Sequence, residues 1–224
     1  MKISKGRKIL ILLLAFVLLL PTVRVDATMG NVFVFLHSED FFAGNSKTVG
    51  LYYRDFVNKG HGAMLAARPT AVYGMQEYLK NAESLFICCH GKNEGSVLLV
   101  DIVGTREILF RTSDVPKSMD CKLAYIGACR SAQNNTETGK NLCGTLVSNG
   151  YKAVIGYNTD VVHVFAIQYE ESFFDYLAQG KSVYASTRET ELYLIKKGER
   201  EDPEEYERII NSVSKFGNLG LTIE

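Results

Sequence analysis

The amino-acid sequence predicts an α/β domain whose central sheet is largely parallel and covered by helices on both faces. Three observations predict it. Short apolar runs recur at 31–36, 84–89, 122–128 and 153–156. Segments with apolar residues at helical spacing separate most of these runs. The runs are too short for helices and lack strict polar alternation, the pattern of strands buried on both faces.

The elements follow in order. Residues 31–36 (Val32, Phe33, Val34, Phe35 and Leu36 among them) form the first strand. A helix follows over 47–59, with Leu51, Tyr52, Phe56 and Val57 on one face. Thr70 is a suitable N-cap for a second helix to Ala82, burying Val72, Met75, Tyr78 and Leu79. The run 84–89 is the second core strand. Residues 97–103 and 107–111 flank Gly104 as a hairpin. The third core strand is 122–128. A helix over 138–148, stopped by Asn149-Gly150, leads into the strand 153–156. Helices over 161–178 and 182–197 close at Gly180 and Gly198. The acidic helix around 201–207 reads as a solvated face, and 219–223 as a final strand.

The 224 residues carry 25 basic and 25 acidic side chains, but unevenly. The first 27 hold five basic residues and one acid, leaving 20 basic against 24 acidic, a net −4, for the rest. With no basic block, nucleic-acid binding drops out as a function class. The basic cluster Lys2 to Lys8 precedes twelve apolar residues, Ile9 to Leu20, then Pro21. Twelve is short of the about 20 that span a bilayer and suits a signal peptide. Cleavage is expected after Ala27, leaving 28–224 as one domain, secreted or extracytoplasmic. The alternative is an uncleaved N-terminal membrane anchor. Five cysteines, at 88, 89, 121, 129 and 143, leave at least one thiol unpaired in an exported protein. Neighbouring Cys88 and Cys89 point to opposite faces of a strand and do not easily pair.

Three predicted strands end in reactive residues: the first at His37, the second at His90, the third at Cys129. In open α/β sheets these carboxyl ends form the crevice where ligands sit. The segment Ser84-Leu-Phe-Ile-Cys-Cys-His90-Gly91 is an apolar strand ending in His-Gly. Lys122-Leu-Ala-Tyr-Ile-Gly-Ala128-Cys129 is one ending in Ala-Cys. This ordered pair resembles the signature of the caspase-like cysteine peptidases (clan CD), in pattern nearest to the bacterial CHAT, clostripain and gingipain types. Gly150-Tyr-Lys-Ala-Val-Ile-Gly156 and Gly180-Lys-Ser-Val-Tyr-Ala185 extend the likeness, which covers roughly 31–197.

The resemblance implies a three-layer sandwich and a cysteine endopeptidase that needs no cofactor and acts on a peptide or protein. Its residues carry over as Cys129, the nucleophile, and His90, which raises the thiolate fraction or protonates the leaving amine. The N–H groups of Gly91 and Cys129 would form the oxyanion hole. The run Gly127-Ala-Cys-Arg-Ser131 departs from the caspase Gln-Ala-Cys-Arg-Gly. The His-to-Cys separation of 39 is also shorter than the caspase spacing of about 50. Both point away from a true caspase with aspartate specificity.

Members of this group often hold a basic P1 residue with an acid. Asp160, in the loop after the strand 153–156, is the candidate substrate-binding residue; Glu94 and Asp114 are the other acids considered. Asp160 reads equally as an N-cap for the next helix. His37 and His163 with His90 and Cys129 offer zinc-type donors, but their spacing matches no ligand pattern, so no metal is assigned. His61 reads as a solvated loop residue. Two other classes stand as alternatives: a catalytically inactive caspase-like module that binds a peptide or partner, and a flavodoxin-like binding protein. The latter lacks a Gly-rich phosphate loop after the first strand.

Overall fold

The computed structural model describes residues 32–36, 63–66, 79–92, 97–102 and 105–223, with backbone alone for 32–36, 63–66, 92, 97–102 and 105–110. The expected signal segment, the helix over 47–59, most of that over 70–82, His37, His61 and Glu94 lie outside the described residues. Residues 79–81 are helical.

Among the described residues nine strands form two sheets. In the larger, β1 (Val32–Leu36), β2 (Ala63–Ala66), β3 (Ser84–Cys88), β7 (Leu123–Gly127), β8 (Ala153–Tyr157) and β9 (Val213–Gly217) lie in the order β2-β1-β3-β7-β8-β9. The first five are parallel and β9 joins antiparallel. The smaller sheet is an antiparallel meander of β4 (His90–Lys92), β5 (Val97–Ile102) and β6 (Thr105–Arg111). The predicted hairpin is therefore present, and the His-Gly dipeptide adds a third strand to it.

Alternation along the central strands divides the core in two. Phe86 and Cys88, Leu123 and Tyr125, and Ala153, Ile155 and Tyr157 face one layer. Leu85 and Ile87, Ala124 and Ile126, and Val154 face the other. Helices α2 (His163–Ala178), α3 (Val183–Gly198) and α4 (Pro203–Ser212) cover the first face with Phe173, Leu177, Leu194, Tyr206 and Ile209. Helix α1 (Leu142–Ser148) and Leu79 cover the second. Both faces of β3, β7 and β8 are thus dry, which is why their sequences read as continuous apolar runs.

Several boundaries differ from the sequence reading. Helix α1 starts at Leu142, not Thr138, because Asn141 caps it, accepting from the Gly144 N–H at 2.6 Å. Asn135 first turns the chain by accepting from the N–H groups of Glu137 and Thr138, each at 2.9 Å. The last strand is Val213–Gly217, following α4 directly; 219–223 contributes a single bridge, Ser182 to Thr222. Helix α2 begins at His163 with Val162 as its N-cap, so Asp160 does not cap it.

Candidate active site

The sheet register sets the site. Parallel strands β3 and β7 pair Cys88 with Gly127, and the Cys89 N–H donates to the Gly127 carbonyl at 3.3 Å. Both chains leave the sheet at the same level, one as Cys89-His90-Gly91 and the other as Ala128-Cys129-Arg130. Their contact is backbone on backbone: a methyl group at Gly91 would lie 1.8 Å from the Cys129 carbonyl oxygen. Only glycine fits there. His90 is exposed at the start of β4, and Cys129 is half-buried.

Cys129 stands apart from the other cysteines. All five are free thiols, and the remaining four are buried. Burial pushes the Cys121 and Cys143 thiols up to about 12. Burial raises Cys88 and Cys89 too, helped for Cys88 by the Glu170 charge. Those four are core residues and poor nucleophiles at neutral pH. Cys88 and Cys89 belong to opposite core layers, as their adjacency in a strand predicts.

The loop after β8 reaches over to the loop that carries Cys129. The Val161 N–H points at the Cys129 sulfur at 3.5 Å. The Arg130 N–H donates to the Thr159 carbonyl at 3.0 Å and that of Ala132 to Tyr157 at 2.8 Å. Buried Ser131 locks the base of the loop, donating to the Ile126 carbonyl and accepting from the Tyr157 N–H, each at 3.0 Å. Around Cys129 the N–H groups of Ala128, Arg130, Ser131 and Ala132 are all engaged. The N–H of Cys129 itself has no hydrogen-bond partner among the described residues. A donor left open between engaged neighbours is the arrangement an incoming oxyanion needs.

Asp160 carries the other charge in this loop. Its Oδ1 accepts from Arg130 Nε at 2.8 Å, and its Oδ2 pairs with Arg130 Nη2. The carboxylate expected at a P1 subsite thus already holds a guanidinium of its own chain. Asp114, the other described acid considered, caps a short turn by accepting from the Arg111 N–H at 3.0 Å. His163 is the first residue of α2. Among the described residues no group of three or more His, Cys, Asp or Glu is placed to hold a metal ion.

A polar cluster beneath the strand end was not visible in the sequence. The Tyr125 and Tyr157 hydroxyls lie 2.9 Å apart, and the Tyr157 hydroxyl donates to Glu170 Oε1 at 3.1 Å. That oxygen packs on Gly127, where a methyl group would approach it to 2.7 Å. Burial holds the Glu170 carboxyl far above the ordinary range, at about 8, so it is mostly protonated at neutral pH. Glu170 sits in an otherwise ordinary amphipathic helix, and only the fold turns it inward.

No protein-family model and no curated protein matches the sequence. Solved structures do match. The chain is similar to separase in the Saccharomyces cerevisiae separase–securin complex, with a TM-score of 0.58 and 14% identity. That match covers 92% of this chain and 13% of separase. It is also similar to gingipain R, an Arg-specific cysteine proteinase, with a TM-score of 0.66 and 10% identity over 89% of this chain and 48% of that one. The chain spans less than half the length of either neighbour. The mostly parallel sheet between two helical layers is the caspase-like fold, which this chain shares with separase and gingipain R.

Proposed function

We propose that this protein is a cysteine peptidase that cleaves peptide bonds with Cys129 and His90. The observation that carries the reading is the state of Cys129. It alone of the five thiols is not buried, it faces a backbone N–H, and its own N–H has no partner among the described residues.

In this reading the Cys129 thiolate attacks the scissile carbonyl carbon and a C–S bond forms. The carbonyl π electrons move to oxygen, where the N–H groups of Cys129 and Gly91 receive the charge. Each such donor is typically worth about 10²–10³ in rate. As the tetrahedral species collapses, the C–N bond breaks and His90 supplies the proton that the leaving amine takes up. Water then attacks the thioester, with His90 accepting one of its protons. The C–O bond forms as the C–S bond breaks, and the thiolate leaves a carboxylic acid that gives its remaining proton to the released amine or to solvent. No cofactor enters any step. The substrate is a peptide or protein, met outside the cytoplasm if the N-terminal segment directs export. Asp160 would serve a basic P1 residue only by exchanging the Arg130 guanidinium for the substrate's.

The test is a P1-diverse fluorogenic peptide library offered to the purified wild type and to Cys129→Ala. Cleavage by wild type alone supports the proposal and reads P1 directly. Full activity in Cys129→Ala would sink it. If neither protein cleaves and Cys129 shows no selective labelling by a peptidyl electrophile, the chain is a binding module instead.

A further inference from the structure

We propose that Arg130 and Asp160 are positioning residues for Cys129, an ion-pair clamp that sets the sulfur against the Val161 N–H. The inference rests on the reading of Cys129 as nucleophile and assigns its neighbours a task.

The pair brackets the sulfur contact on both chains. Arg130 follows Cys129 directly and Asp160 precedes Val161 directly. The ion pair therefore joins the residues flanking the sulfur and its N–H donor, which lie 3.5 Å apart. The joint is bidentate, Nε to Oδ1 and Nη2 to Oδ2, a geometry that fixes orientation as well as distance. Backbone reinforces it, since the Arg130 N–H donates to the Thr159 carbonyl at 3.0 Å. Arg130 thus grips residues 159 and 160 with main chain and side chain together.

Backbone conformation points the same way. Arg130 has φ of 59°, the only positive φ at a non-glycine residue in the described chain. The left-handed region is unfavourable for a residue with a Cβ, and such strain persists where the surroundings over-determine it. Glycine would take this φ without the penalty, but it would bring no guanidinium to Asp160. Global stability does not explain the pair, because the two side chains are 44% and 61% exposed and such pairs add little. Its effect is local, on the geometry of the two loops that carry the sulfur and its donor.

The experiment uses the full-length protein with Arg130→Ala, Asp160→Asn, the double variant and Arg130→Lys. Two quantities are measured. One is the rate of Cys129 alkylation by iodoacetamide, located by mass spectrometry. The other is kcat and KM on two fluorogenic peptides, one with arginine and one with a neutral residue at P1. Each of the first two variants should lower alkylation and kcat about 10- to 100-fold, as a misplacement near 1 Å does, with KM within about threefold on both peptides. The double variant should be no worse than either single, since one contact is lost. Arg130→Lys should recover part of the rate. A loss confined to KM for the P1-arginine peptide would make Asp160 a substrate reader and overturn the clamp. Faster cleavage by Arg130→Ala, or losses that multiply in the double variant, would overturn it as well. If wild type cleaves neither these peptides nor any of the P1-diverse library, the peptidase reading is judged separately, by whether a peptidyl electrophile labels Cys129 selectively. Alkylation then decides alone: slowed rates keep the clamp and unchanged rates refute it. Should Arg130→Ala not fold, the near-isosteric Asp160→Asn carries the test.

Discussion

Replacing Gly91 with alanine places a methyl group 1.8 Å from the Cys129 carbonyl oxygen. Ordinary contact begins near 3.4 Å, so the two strand ends must part by about 1.6 Å. No rotamer relieves this, because the methyl group is fixed to one backbone and the oxygen belongs to another. The Cys129 backbone is held by its neighbours' bonds to the end of β8 and the loop after it, Ala132 to Tyr157 and Arg130 to Thr159. The His90-Gly91 segment is therefore the side expected to move, carrying His90 and one oxyanion donor away from the sulfur. A misplacement of about 1 Å costs about 10²-fold in rate, so kcat/KM should fall by at least that factor. Overpacking of this kind also costs about 2 kcal/mol of stability, well within what a domain of this size tolerates. The assay is kcat/KM on the best peptide from the library, with a thermal melt to confirm folding. A folded Gly91→Ala protein with kcat/KM within threefold of wild type would refute the reasoning.

Three further perturbations follow from the same geometry. Glu170 titrates near 8 in the folded protein against an ordinary 4.5, chiefly because it is buried. Between these values the folded state holds a proton that the unfolded chain has released. The contribution is thus complete below about pH 4.5 and is lost as the pH rises through about 8, at up to about 1.4 kcal/mol per pH unit. Glu170→Gln should flatten the fall in melting temperature between those pH values, and parallel wild-type and variant curves would count against it. Ser131→Ala leaves the buried Tyr157 N–H without its acceptor and should cost about 1–3 kcal/mol in urea melts, with a lower kcat. Asn141→Ala removes the cap of α1 and should cost about 1 kcal/mol with kcat unchanged; a lowered kcat would mean that the helix start also shapes the site.

Much of this site could be read from the chain because its parts are local. An apolar run that ends in His-Gly or Ala-Cys states both the strand and what stands at its end, and parallel pairing then aligns the ends. The alternating thiols of Cys88 and Cys89 were likewise legible from strand geometry alone. What could not be read depends on distant partners. Arg130 and Asp160 are 30 residues apart, and no local pattern links them. Glu170 looks like any charge on a helix until Tyr157 and Gly127 are seen beside it. Strand β9, Val-Ser-Lys-Phe-Gly, has two apolar residues and follows α4 with no glycine or proline between them, so neither hydrophobicity nor turn chemistry announces it. Strand β2 is four residues of Ala-Met-Leu-Ala, too short and too alanine-rich to stand out from a helix.

The chain crosses from the large sheet to the small one within a single residue: β3 ends at Cys88 and β4 begins at His90. The two halves of the proposed dyad are therefore mounted on different supports. Cys129 is tied into the main sheet through the loops after β7 and β8, whereas His90 rides on the edge of a three-stranded meander. A force that tilts the meander, from a bound polypeptide or a neighbouring domain, would displace His90 while leaving Cys129 in place. Gly91, wedged on the Cys129 carbonyl, is the fulcrum of that lever.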